Sequence, residues 1–366
     1  MFFSWTRPIW ATACVLALLP PTLVSAGQGL QTGNPNLKHA GPLAFGPDGI
    51  LLVGDSLNAA VYAIDTKETT DGSTERAPVN IESVNKKIAA MVGSSPTETV
   101  INDMVVNPKS GSVYLSIARG RGPDSIPLIF KVDTKGKVSE FSLEKVEFAH
   151  AKFDNAPKSG RDRRGRNPRM NAITDIQFNS GKVIVAGLSN EEFASKLRVF
   201  DFPFDGAMSD TSIEVYHGAH GALETRSPVQ TFITYENNVL AAYTCTPLVQ
   251  IPVGDLDGEK TMGKTIAELG NRNKPLDMIV YNKEGQDYLL LSNSSRGVMK
   301  MKLSMSDIEE VDAIKARVGG GGTAGLSYET MKQFEGVVQL DKFDAARAVM
   351  LVATDSGLNL KTVALP

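Results

Sequence analysis

One short phrase recurs along this chain, and a recurring phrase constrains a fold more tightly than average composition does. Gly41 to Ser56 reads GPLAFGPDGILLVGDS: an apolar strand at Leu43 and Phe45, a Pro-Asp-Gly turn, then a second apolar strand from Ile50 to Val53. A third strand follows from Ala60 to Asp65. The turn residues supply the backbone angles that a tight hairpin needs. The same order returns as INDMVVNPKSGSVYLSIA from Ile101, ITDIQFNSGKVIVAGLS from Ile173 and SPVQTFITYENNVLAAYTC from Ser227. It returns again as PLDMIVYNKEGQDYLLLSNS from Pro275 and EGVVQLDKFDAARAVMLVATDS from Glu335. Aligning Pro42, Asp103, Asp175, Pro228, Asp277 and Gly336 gives steps of 61, 72, 53, 49 and 59 residues.

Each unit is a small antiparallel sheet that cannot bury both of its faces alone. Arranged radially, such units form an all-β fold, a six-bladed β-propeller with four-stranded blades. Apolar runs such as Met278-Ile279-Val280 fit strands covered on both faces. A β-sandwich, or two separate β domains, is the competing arrangement. The unequal steps require insertions: a short helix over Lys86 to Val92 and a long loop over Ala151 to Arg169. The sixth unit stops after its third strand, so the last blade is expected to be closed by the N-terminal segment, Gly27 to Lys38.

The phrases GPLAFGPDGILLVGDS, INDMVVNP and PLDMIVY resemble the blade openings of six-bladed propellers of the NHL-repeat and SMP-30/gluconolactonase/paraoxonase type. In the hydrolytic members a divalent metal is held in the central channel by a first-blade Glu and by Asn and Asp from later blades. The resemblance places Asn102, Asp103 and Asp277 at such positions and implies a metal-dependent lactonase or esterase. The first-blade Glu-Gly-Pro reads Ala40-Gly41-Pro42 here, so one principal ligand of that pattern is missing.

The N-terminus carries Arg7, an apolar run from Ile9 to Leu19, and Val24-Ser25-Ala26. That is the layout of a secretory signal peptide over 1–26, and the run is shorter than the roughly 20 residues of a membrane span. Residues 27–366 are then one propeller domain, periplasmic or secreted, with no membrane attachment after cleavage. Cys14 would leave with the signal peptide, so Cys245 would be the one remaining thiol and no internal disulfide could form.

Scarce chemistry clusters between His217 and Val253, which holds two of the four histidines as well as Cys245. Imidazole and thiolate together suit copper or zinc, so His217, His220 and Cys245 are a candidate metal set. Against this stands the reading that they are polar loop residues and a small buried thiol. Asp103, Asp175 and Asp277 begin three inner strands and point toward the channel. There they would either hold a hard cation such as calcium with Asn102, or tie neighbouring blades together.

The net charge of −3 gives no global pull on nucleic acid. Local cations are nevertheless frequent in the loops assigned to the face that carries the histidines. Arg119, Arg226, Arg272, Lys274 and Arg296 are candidate ligand-binding residues, and Lys158 to Arg169 adds a basic run. Aromatic interleaving is poor there, which disfavours single-stranded nucleic acid. The expected role is a binding module for an acidic protein partner or an anionic small molecule at the channel mouth, with His217, His220, Arg226 and Cys245 edging it. Metal-dependent hydrolysis and a copper or redox role are the alternatives.

Overall fold

The computed structural model describes residues 1, 29–70, 76–122, 124–204, 206–245 and 247–366. Apart from Met1, the signal-peptide reading of 1–26 falls outside these residues. The chain opens with β1 (Gln31–Gly33), β2 (Leu43–Phe45), β3 (Ile50–Asp55) and β4 (Ala60–Asp65). The β2–β3 turn uses Asp48 and Gly49 at φ +49° and +75°, and a Cβ on Gly49 would lie 2.5 Å from the Glu68 carbonyl oxygen. β5 (Asn80–Ile81) then leaves this sheet, followed by α1 (Val84–Met91), the helix expected over Lys86 to Val92.

A second meander follows: β6 (Thr99–Val106), β7 (Val113–Arg119), β8 (Ile126–Val132) and β9 (Val138–Glu140). β10 (Val146–Lys152) returns to the first sheet and pairs with β4, and β1 covers its outer edge. Next come β11 (Asp175–Asn179), β12 (Lys182–Leu188), β13 (Ser195–Asp201), β14 (Ser209–His217) and β15 (Ala222–Glu224). They are followed by β16 (Val229–Tyr235), β17 (Asn238–Tyr243), β18 (Pro247–Pro252) and β19 (Lys260–Leu269). The last part holds β20 (Pro275–Lys283), β21 (Gln286–Asn293), β22 (Gly297–Leu303), α2 (Met305–Glu310), β23 (Thr323–Gly325) and β24 (Glu329–Thr330). β25 (Val337–Lys342), β26 (Arg347–Thr354) and β27 (Gly357–Ala364) complete the chain.

The result is all-β and propeller-like. Three sheets have four strands, one has five, and β11 to β19 join with β23 into a ten-stranded sheet. That fusion departs from separate four-stranded units. It arises because β14 and β19, both long outer strands, pair in parallel from Ser212–Lys260 to Val215–Gly263. Their edge N–H and C=O groups are thereby satisfied instead of left as open edges.

Closure also differs from expectation. β27 pairs with β5 through Leu360–Ile81 and Lys361–Asn80, not with the Gly27 to Lys38 segment. The reason is burial: Ile81 packs with Val84, Ile88, Phe343 and Leu360, whereas Gln31-Thr32-Gly33 has no buried side chain to offer. Leu37 and Ala40 instead hold the N-terminal segment against Leu43 and Leu51 of its own sheet.

The chain's excursion to β5 sets the spatial order. The inner strands touch in the cycle β2, β6, β25, β20, β16, β11 and back to β2. The second meander therefore lies between the first and the last. Apolar side chains form separate clusters, each between two neighbouring sheets. Leu52, Val61, Ile173 and Val185, for example, pack together between the first sheet and β11–β13. Strands β3 and β17 are buried along their whole length because both faces are covered. Each fully buried Val, Leu or Ile contributes about 1.5–3 kcal/mol.

Candidate ligand-binding site

The channel between the inner strands is organised by aspartates. Asp103 accepts from the N–H of Met104 at 2.8 Å and from that of Leu43 on β2 at 2.6 Å. Asp175 accepts from Ile176 and from Phe232 on β16, both at 2.7 Å. Asp277 accepts from Met278 at 2.8 Å and from Leu340 on β25 at 2.9 Å. Asp341 accepts from Lys342 and from Val106 on β6, both at 2.7 Å. One oxygen of each carboxyl thus holds its own strand and the other laces the neighbouring strand.

Asp341 was not among the residues expected here, because its phrase, VVQLDK, lacks the aspartate at the repeat position. Register explains this. A bulge precedes Asp103, Thr231, Asp277 and Gln339, which are therefore the equivalent positions, three residues beyond Pro228 and Gly336. Gln339 fills that place by donating to the Asn102 carbonyl at 2.8 Å and to Asp103 Oδ1 at 3.2 Å.

Burial pushes these carboxyls up despite their backbone donors, and their mutual repulsion adds to the effect at Asp103 and Asp277. Asp103 rises to about 8, Asp175 to about 7, Asp341 to about 6, and Asp277 well above the ordinary range. Asn102 donates its amide to the Ala40 carbonyl at 2.8 Å. Asp103, Asp175 and Asp277 do not bring three ligand atoms within 4.8 Å of one another. The geometry matches the blade-tying reading of these residues.

The channel encloses about 820 Å³, and Lys274 and His39 line it together with the aspartates. Burial lowers the pKa of Lys274. Burial also lowers that of His39, partly opposed by the nearby Asp55 carboxylate. A side groove of about 440 Å³ adjoins the channel and shares His39, Asn102 and Met170 with it. Its walls are residues 120–122 and the 159–167 loop, with Arg121, Ser125, Ser159, Arg161 and Asn167. Gly120 and Gly160 hold φ of +94° and +127° there, angles that side chains rarely adopt.

Asp162 builds the basic loop as a turn, accepting from the N–H groups of Arg164 and Arg166 and pairing with the Arg166 guanidinium at 2.9 Å. Arg169 is tied to the Pro157 carbonyl. Arg161 is exposed and has no hydrogen bond or ion pair among the described residues. Arg121 donates to the Thr97 carbonyl at 2.8 Å and stands 3.9 Å from Glu98.

Of the cations expected at the channel mouth, Lys274 alone lines it. Arg119, Arg226, Arg272 and Arg296 line neither cavity. Three of them spend their guanidinium groups locally: Arg119 on the Val92 carbonyl, Arg226 on that of Glu192 and Arg296 on that of Asn271. Arg272 sits in a left-handed turn at φ +59°.

The histidines do not share one site either. His150 is on outer strand β10, stacked on Tyr62 at 5.4 Å. His217 ends β14, and the turn to β15 places His220 and Glu224 beside it. None of these lines the channel, and Cys245 is not part of the group. Cys245 occupies the β17–β18 turn at φ +63°, its N–H bound to the Asn273 carbonyl. The expectation that His217, His220, Arg226 and Cys245 edge the channel mouth is therefore corrected, because β14 and β15 lie at the outer side of their sheet. Glu224 was missed, although Gly218 and Gly221 mark the hairpin that returns it to His217.

Among the described residues, no helix is long and apolar enough to cross a membrane. No protein-family profile matches the chain, and no curated protein matches it. Solved structures similar to it include the computationally designed Ika8 protein, at 10% identity and TM-score 0.32, covering 91% of this chain and 98% of that one. U3-55K is similar at 8% identity and TM-score 0.35, covering 92% of this chain and 98% of that one.

Proposed function

We propose that the protein is a secreted or periplasmic six-bladed β-propeller that binds an anionic small molecule in the groove at its channel mouth. The observation that carries the reading is the groove itself. It lies within the size range of ligand pockets, opens into the channel, and presents Arg161 unpaired together with Arg121, whose guanidinium stands 3.9 Å from the exposed Glu98. Its rim of serines, asparagines and glycine backbone supplies neutral donors beside the two guanidinium groups, which suit planar or tetrahedral oxyanions. The six-bladed reading is supported by the closed cycle of inner strands and by a separate apolar cluster at each junction between neighbouring sheets.

Lactone hydrolysis is less well supported. Both oxygens of Asp103 and of Asp277 already accept backbone N–H groups, and the Asn102 amide is engaged as well.

The test is calorimetric titration with phosphate, sulfate and a tricarboxylate at low and raised salt. Saturable binding that weakens with salt and falls at least about tenfold in Arg161→Ala and Arg121→Ala is expected. Binding indifferent to both substitutions, or no binding by any of these oxyanions, would overturn the proposal.

A further inference from the structure

We propose that His217, His220 and Glu224 form a binding site for a first-row divalent metal ion of the zinc type, separate from the channel. The chain builds the cluster locally. β14 ends at His217, whose carbonyl accepts from the N–H groups of His220 at 3.1 Å and Gly221 at 2.8 Å. Gly221, at φ +70°, turns the chain back so that Glu224 on β15 pairs with Val215 on β14. The two imidazole rings stand 3.9 Å apart between centroids. Glu224 Oε2 lies 3.1 Å from His217 Nδ1, and Oε1 lies 2.5 Å from His220 Nδ1. One donor atom from each residue lies within 4.8 Å of the others. In a tetrahedral site with bonds near 2.0–2.2 Å, donors stand roughly 3.3–3.5 Å apart. His217 and Glu224 come close to that spacing as they stand. The side chain of His220 is half-exposed and free to open by the remaining ångström.

A second observation points to a ligand. His217 is 1% exposed, yet neither ring nitrogen has a hydrogen-bond partner. Its Nδ1 approaches Glu224 at 3.1 Å but out of line for a bond. Glu268, also 1% exposed, accepts from the Gly218 N–H through Oε1, while its Oε2 has no partner. Buried polar groups left unpaired in this way are costly, and their clustering calls for something that satisfies them together. Two imidazoles and the Glu224 carboxylate converge as donors, with the Glu268 carboxyl close by on β19. Nitrogen and carboxylate donors favour zinc, copper or nickel over calcium.

Supporting contacts hold the ligands in place. Ser227 donates to Glu224 Oε2 at 2.5 Å, and Val318 donates to the Gly218 carbonyl at 2.9 Å. Bound metal would pin the β14–β15 hairpin beside β19, where Glu268 sits.

The experiment strips untagged protein with chelator, dialyses it against Zn²⁺ or Ca²⁺, and measures bound metal and melting temperature. One zinc per chain, no calcium, and a melting temperature raised by zinc are expected. His220→Ala and Glu224→Gln should each weaken zinc binding at least about tenfold, and Cys245→Ser should leave it unchanged. Because His220 is half-exposed, its substitution should keep the far-UV circular dichroism of the native fold, and Glu224→Gln provides an independent second variant. Absence of bound zinc in correctly folded protein, or wild-type zinc affinity in both variants, would overturn the site. A loss in Cys245→Ser would assign the metal to different ligands and overturn it as well.

Discussion

Replacing Asp175 by alanine removes the acceptor for two backbone N–H groups at once, Ile176 on its own strand and Phe232 on β16. Each such hydrogen bond contributes about 0.5–1.5 kcal/mol net, so the expected loss of stability is about 1–3 kcal/mol. Channel water can solvate the freed groups, which places the figure toward the lower end. The loss should also depend on pH. Burial raises the folded-state pKa of Asp175 to about 7, above the ordinary value of 3.8. The folded chain then holds a proton that the unfolded chain releases. This group's stabilisation is fully present below about pH 4 and declines as pH rises through about 7. The gap between wild type and Asp175→Ala should therefore be widest near pH 4 and narrow toward pH 8. Urea unfolding followed by far-UV circular dichroism measures it. Both tryptophans, Trp5 and Trp10, lie in the 1–26 segment, outside the described sheets, so far-UV circular dichroism follows the sheets more directly than tryptophan fluorescence does. Equal urea midpoints for wild type and variant at both ends of the pH range would refute the lacing role.

Two further substitutions probe how the sheets are held. Ile81→Ala should cost about 2–5 kcal/mol, because Ile81 is buried against the last sheet that β5 closes, whereas deleting residues 29–33 should cost much less. Comparable losses from both would restore a closing role for the N-terminal segment. Arg198→Ala should cost about 3–5 kcal/mol in the same unfolding assay. Arg198 is fully buried, 3.3 Å from Asp210, bonded to the Asn155 amide oxygen at 3.1 Å and stacked over Phe153 at 4.7 Å. A loss below about 1 kcal/mol would mean that water replaces it freely.

Local pattern carried a large part of this protein. Alternating apolar runs and Pro-Asp-Gly or Asn-Pro-Lys-Ser-Gly turns depend on residues a few positions apart, so the repeated strand-turn-strand units could be read directly. The helix over Lys86 to Val92 and the inward placing of Asp103, Asp175 and Asp277 follow from the same short-range rules.

Tertiary structure alone decided which edges meet. Ile81 outcompeted Gln31-Thr32-Gly33 for the free edge of β27 because it could bury a side chain there. The parallel pairing of β14 with β19 fused two units into one sheet, and no turn or period in either strand encodes a partner so far away. The same limit hid how the candidate residues group. Arg161 and Arg121 lie about 40 residues apart in sequence and meet across a groove only because the second meander sits against the first. Cys245 was grouped with His217 and His220 as a matter of scarcity, but β14 runs at the outer side of its sheet. There the histidines gained Glu224 and Glu268 as neighbours, and the thiol stayed in the β17–β18 turn.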